Sequence, residues 1–176
     1  MTRQEKDTQF TAWMREHSSI AGQTARAFEF DSDGQADLLQ EILVAWWRSI
    51  PNFPVSGNAR QWLYRVSLNS ALTWQRRECR RHRVIDRAAP FAQLIESTAQ
   101  PVDPVDRDAI NDLYGAIRQL RPVERALILL HLDGFSYAEI AHTLGTSANA
   151  VGSRLTRVRE NLAKLLKGKL HHHERV

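Results

Sequence analysis

The chain has 176 residues, 24 Lys and Arg against 20 Asp and Glu, and a 43% apolar share, which suits one domain or two small ones with packed cores; 8 Gly and 6 Pro exclude a largely disordered chain. A single cysteine, Cys79, excludes an internal disulfide framework. The first ten residues, MTRQEKDTQF, lack the apolar core of a signal peptide, and no apolar run approaches the roughly 20 residues that span a bilayer, so a soluble cytoplasmic protein without membrane insertion is expected.

The net charge of +4 is unevenly spread. Residues 1–73 carry net −1, 74–83 net +4, 84–112 net −4 and 113–176 net +5. Two basic blocks flanking an acidic connector favour a polyanion touched at two places.

In chain order, 7–28 is expected to be helical, with Phe10, Trp13, Met14, Ile20, Ala21, Ala25 and Phe28 apolar. Asp31-Ser32-Asp33-Gly34 reads as a turn cluster. A helix from about Gln35 to Ser49 follows, apolar at Leu38, Leu39, Ile42, Leu43, Trp46 and Trp47. Its other side, Asp37, Gln40, Glu41, Val44 and Arg48, is too acidic for nucleic acid and suits either a basic protein partner or solvent.

After Pro51 and Pro54, with the loop Val55–Asn58, a long helix runs from about Ala59 to Arg81. Trp62, Arg65, Asn69, Thr73 and Arg76 recur along one flank, before an arginine run. Aromatics and amides interleaved with arginines suit unstacked bases beside phosphates. The competing possibility is that the tryptophans are core and the arginines solvated.

Residues 84–107 read as an acidic linker, interrupted by Pro90, Pro101 and Pro104, with a possible short helix at 91–96. A helix over Asp106–Leu120 points Ile110, Leu113, Ile117 and Leu120 inward. Pro122 opens the next helix, at a position where its missing N–H costs nothing. Val123, Ala126, Leu127, Leu130 and Leu132 are expected to form the apolar side of that helix.

Then come two helices joined by a tight turn. Ser136 and Glu139 make a capping box, Gly145 a C-terminal stop, and Ser147 a second cap. Val151, Leu155, Val158, Leu162 and Leu165 form one stripe. Ser153, Thr156, Arg157, Glu160 and Lys164 fall opposite; Arg154 lies at the stripe edge. The pattern is a helix-turn-helix whose second helix fits the DNA major groove, unless it is an ordinary helical hairpin with a solvated face. The fold class is all-α: two small helical domains, 7–83 and 108–168, joined by a flexible linker, the second domain a four-helix bundle.

DLLQEILVAWWRSIPNF from Asp37, then WLYRVSLNSALTWQRRECRR from Trp62, resembles region two of the bacterial extracytoplasmic-function sigma factors. LRPVERALILLHLDGFSYAEIAHTLGTSANAVGSRLTRVRENLAKLL resembles region four of the same family, in the right order. The resemblance implies binding to core RNA polymerase and promoter DNA. Asp37, Gln40 and Glu41 would dock on the beta-prime clamp. Trp62 and Asn69 would trap a flipped base of the downstream promoter element, with Val55–Asn58 as the pocket rim. Arg76, Arg77, Arg80 and Arg81 would hold phosphates. Ser153, Thr156 and Arg157 would face the upstream element, Arg154 would grip phosphate, and region four would also meet the beta flap. An anti-sigma factor is the family's usual control.

The chain departs from many relatives at Thr73, where they carry aspartate, and at Asn149-Ala150, where they carry glycine-threonine. Many also have a basic residue at Gly152. These differences make the upstream sequence preference non-transferable. A conventional helix-turn-helix repressor or activator is the alternative; it predicts stable binding to a palindrome without polymerase. No phosphate loop, paired metal-ligand motif or nucleophile–base pair suggests an enzyme. No catalytic residue, metal site or cofactor is expected; the 171–173 histidine run could bind metal weakly but reads rather as an unstructured tail or a non-native addition.

Overall fold

The structure, a computed structural model, describes residues 2–85 and 104–173, with side chains over 2–77 and 108–167. The expected 91–96 helix and most of the 84–107 connector lie outside the described residues. So do the side chains of Cys79, Arg80, Arg81 and the histidine run. The described residues are helical and contain no strand: α1 Arg3–Phe28, α2 Ser32–Ser49, a 3-10 turn Ile50–Asn52, α3 Ala59–Ile85, α4 Pro104–Ile117, α5 Pro122–Leu132, α6 Tyr137–Leu144 and α7 Ala148–His173. The chain divides into two compact units, 1–96 and 97–176.

In the first unit, α1, α2 and α3 pack on one another. α1 begins four residues before the expected start, because Thr2 and Glu5 form a capping box over its first turn. The Asp31–Gly34 cluster belongs to α2: Asp31 is the N-cap, accepting from the Gly34 N–H at 2.7 Å. Trp13, Ile20 and Phe28 of α1, Leu38, Ile42 and Trp46 of α2, and Leu63, Tyr64, Leu68 and Ala71 of α3 are all buried where these helices pack. Each large apolar side chain so buried contributes about 1.5–3 kcal/mol. Within this core the Trp46 indole N–H donates to Ser67 Oγ at 2.9 Å, whereas the buried Trp13 indole N–H has no hydrogen-bond partner among the described residues.

The second unit packs α4, α5 and α6 against α7. α4 ends at Ile117, and turn bonds from the Gln119 and Leu120 N–H groups to Ala116 and Ile117 carry the chain onward. α5 corrects the expected stripe. Ala126 through Leu130 are all buried, whereas Val123 and Leu132 at its ends are 50% and 55% exposed. A helix covered on all sides needs no stripe. Arg125 is buried too; its Nε donates to Leu120 O at 2.9 Å and its guanidinium also reaches Arg118 O. A cation thus answers carbonyls of the turn between α4 and α5. α7 continues helically through residue 173, so the histidine run is not an unstructured tail in its backbone.

Candidate nucleic-acid interface

The α6–turn–α7 element is built by its caps. The Ser136 N–H donates to Glu139 Oε2 at 2.8 Å, and the Glu139 N–H returns to Ser136 Oγ at 3.3 Å. Gly145 ends α6 at φ 66°, ψ 41°, with its N–H and that of Thr146 both donating to Ala141 O. A side chain at 145 would meet nothing within 4 Å, so the left-handed backbone alone calls for glycine. Ser147 Oγ accepts from the Ala150 N–H at 3.3 Å and starts α7 at Ala148.

Val151, Leu155, Val158 and Leu162 of α7 are buried, with Leu165 half-buried. Ser153, Arg154, Thr156 and Arg157 are all exposed, on one continuous polar surface. The Ser153 and Thr156 hydroxyls donate to the carbonyls of Asn149 and Gly152, at 3.1 and 3.2 Å. Each hydroxyl oxygen keeps acceptor capacity toward solvent. A Cβ at Gly152 would sit 3.5 Å from the Tyr137 ring, an ordinary contact, so sterics do not dictate the missing basic residue there.

The α3 residues are placed differently. Arg65, Asn69 and Arg76 are exposed on one flank. Trp62 is half-buried: its indole N–H donates to Ser49 Oγ at 3.1 Å, and its ring stands edge-on to Phe53 at 5.9 Å. Phe53 in turn meets Trp13 at 5.4 Å and 90°. Trp74 is also half-buried, its indole N–H donating to Glu29 Oε1. Both tryptophans therefore commit their polar edges inward.

On α2, Asp37 and Gln40 are exposed, as are Val44 and Arg48. Glu41 is engaged by Arg77, whose Nη1 donates to its two carboxylate oxygens at 3.0 and 3.2 Å. A residue expected at the polymerase and one expected at DNA thus meet each other. Arg125, Glu29, Gln75 and Phe53 escape a reading by periodicity, because their partners lie elsewhere in the chain. Among the described residues, no group of three or more His, Cys, Asp or Glu is placed to hold a metal ion. No described helix is long and apolar enough to cross a membrane.

Residues 13–81 match the family model for Sigma-70 region 2, and residues 110–162 match that for Sigma-70, region 4. RNA polymerase sigma factor NccH of Alcaligenes xylosoxydans xylosoxydans is 29% identical over 160 residues, covering 89% of this chain and 86% of the relative. ECF RNA polymerase sigma factor EcfG of Rhodopseudomonas palustris is 30% identical over 158 residues, covering 87% and 84%. Some relatives are longer: the chain spans 40% of SigG of Mycobacterium tuberculosis. In fold, the chain is similar to the sigma factor RpoE of Bartonella quintana, solved in complex with the anti-sigma factor NepR, at a TM-score of 0.71 and 24% identity over 90% of this chain and 97% of that one. Two family regions in order, on the all-helical fold of these relatives, establish that the chain belongs to the extracytoplasmic-function sigma factors of RNA polymerase.

Proposed function

We propose that this chain binds core RNA polymerase and directs promoter-specific transcription initiation, gripping the promoter at two elements. The observation that carries this reading is the α7 surface, where Ser153, Arg154, Thr156 and Arg157 are exposed together while the apolar stripe behind them is buried. Such a helix enters the major groove of the upstream element. Arg157 reads a base edge, with a bidentate arginine–guanine pair as the strongest option. Arg154 holds phosphate, and the Ser153 and Thr156 oxygens take polar contacts beside it.

Downstream opening belongs to α3. Extruding a base costs a few kcal/mol, which a pocket with stacking and edge hydrogen bonds offsets. Exposed Asn69 supplies the edge contacts. Trp62, held by Ser49 and Phe53, supplies a fixed wall rather than a mobile stacking ring. Arg76, Arg77, Arg80 and Arg81 neutralise the phosphates. Asp37, Gln40 and Glu41 meet the beta-prime clamp, and region four the beta flap. The RpoE–NepR complex supports an anti-sigma factor as a further partner. Work on RNA polymerase would place this chain in the cytoplasm.

Reconstituted transcription with host core enzyme and a genomic promoter library tests the proposal. Transcripts from one promoter class, absent with core alone, are expected; the absence of any specific transcript contradicts it.

A further inference from the structure

We propose that Glu29 is a positioning residue for promoter opening: it tethers Trp74 and Gln75 and thereby fixes the direction of the arginine-bearing end of α3. The inference rests on the reading of α3 as the opening helix.

Glu29 caps the end of α1, its N–H donating to Ala25 O at 2.9 Å. Its Oε1 accepts from the Trp74 indole N–H and, at 3.4 Å, from Gln75 Nε2. Gln75 Nε2 also donates to Phe28 O at 2.7 Å. The same corner is tied to α2, since Gln35 Nε2 donates to Glu29 O at 3.2 Å. Gly34 leaves the carboxylate room: a Cβ there would come within 3.2 Å of Glu29 Oε2. One acidic side chain thus sits where α1, the start of α2 and the later part of α3 converge.

The position along α3 gives the tether its meaning. Leu63, Tyr64, Ser67, Leu68 and Ala71 are buried along the inner side, and Trp74 and Gln75, half-buried, continue it. Arg65, Asn69 and Arg76 lie exposed on the other side. Beyond Gln75 the described tether is the Arg77–Glu41 pair, with Arg77 60% exposed and the pair correspondingly weak. A part-buried, charge-assisted bond is the stronger constraint. The backbone at Arg81 lies about 9 Å further along the helix. A tilt of about 15° at Gln75 therefore moves it by roughly 2 Å, which is enough to lose a hydrogen bond to phosphate.

The test uses holoenzyme assembled from the full chain and core polymerase, with core affinity, open-complex rate by permanganate reactivity and thermal stability measured together. Glu29→Ala is expected to slow opening about fivefold to tenfold while core affinity stays within about twofold. Glu29→Gln keeps an amide oxygen that accepts from the indole but loses the charge, and is expected to open faster than Glu29→Ala and more slowly than the wild type. Trp74→Phe keeps an aromatic ring, though a smaller one, and removes the donor; it is expected to slow opening, and its effect should not add to that of Glu29→Ala. Normal opening by Glu29→Ala overturns the proposal. So does additivity with Trp74→Phe, or a parallel loss of stability, core binding and opening that Glu29→Gln does not rescue. Asn69→Ala is run alongside. If it opens normally, the reading of α3 itself fails; if it is defective while Glu29→Ala is normal, only the tether fails.

Discussion

α7 and α3 both present polar, cationic surfaces, but they are wired to the protein in opposite ways. On α7 the apolar stripe is buried, and Ser153, Arg154, Thr156 and Arg157 stand on the exposed side. On α3 several polar and aromatic side chains are bonded to the helices beneath: Trp62 to Ser49 and Trp74 to Glu29 at part-buried sites, and Arg77 to Glu41 in an exposed ion pair. Recognition and stability are therefore separable on α7 and entangled on α3. A surface of the first kind can change its sequence preference without refolding. A surface of the second kind is constrained by what lies beneath it, which suits opening chemistry that needs fixed geometry.

The largest expected effect breaks the comparison on the α3 side. Trp46 is fully buried and its indole N–H is bonded to Ser67 on the inner side of α3. Trp46→Ala should cost about 3–5 kcal/mol of stability and opening along with it. All five tryptophans lie in the first unit, so urea unfolding followed by fluorescence reads this unit selectively. Next, Arg157→Ala should cost about 1–3 kcal/mol of upstream-element binding if it makes a good base contact. Its melting temperature should be unchanged, as expected for an exposed substitution. Equal binding of the wild type to cognate and scrambled upstream sequences would remove that role. Arg154→Ala should instead lower the salt slope of binding by about one without relaxing specificity.

Smaller effects sharpen the contrast. Gly145→Ala places a side chain at φ 66° and should destabilise the second unit by about 1–2 kcal/mol, measured by denaturant unfolding of the region-four unit. Arg77→Gln removes an exposed ion pair and should change stability by no more than about 1 kcal/mol. Its effect on DNA opening should exceed its effect on unfolding.

The helix-turn-helix was legible because its determinants are local. Ser136 and Glu139 are three residues apart, Gly145 follows the last apolar position, and the stripe repeats every three or four residues. The start of α1 was legible on the same grounds, since Thr2 and Glu5 have capping-box spacing, but the apolar pattern drew the boundary later. α5 shows where periodicity fails: Ala126 through Leu130 are covered on every side, and no stripe marks such a helix. Arg125 was invisible because arginine is ordinarily solvated, and its partners Leu120 and Arg118 are backbone carbonyls of the preceding segment. The Glu29–Trp74 and Tyr64–Gln23 bonds join residues 45 and 41 positions apart, beyond any local spacing rule. Spacing picked out Trp62 and Asn69 on α3 and the resemblance suggested their roles; only the packing distinguishes exposed Asn69 from half-buried Trp62, which Ser49 and Phe53 hold.

The most direct measurement compares promoter occupancy and permanganate reactivity for holoenzymes carrying Arg157→Ala or Asn69→Ala on one promoter. The account predicts that Arg157→Ala loses occupancy, and that Asn69→Ala keeps occupancy but loses reactive thymines. Wild-type occupancy and reactivity in both variants would contradict the two-element grip.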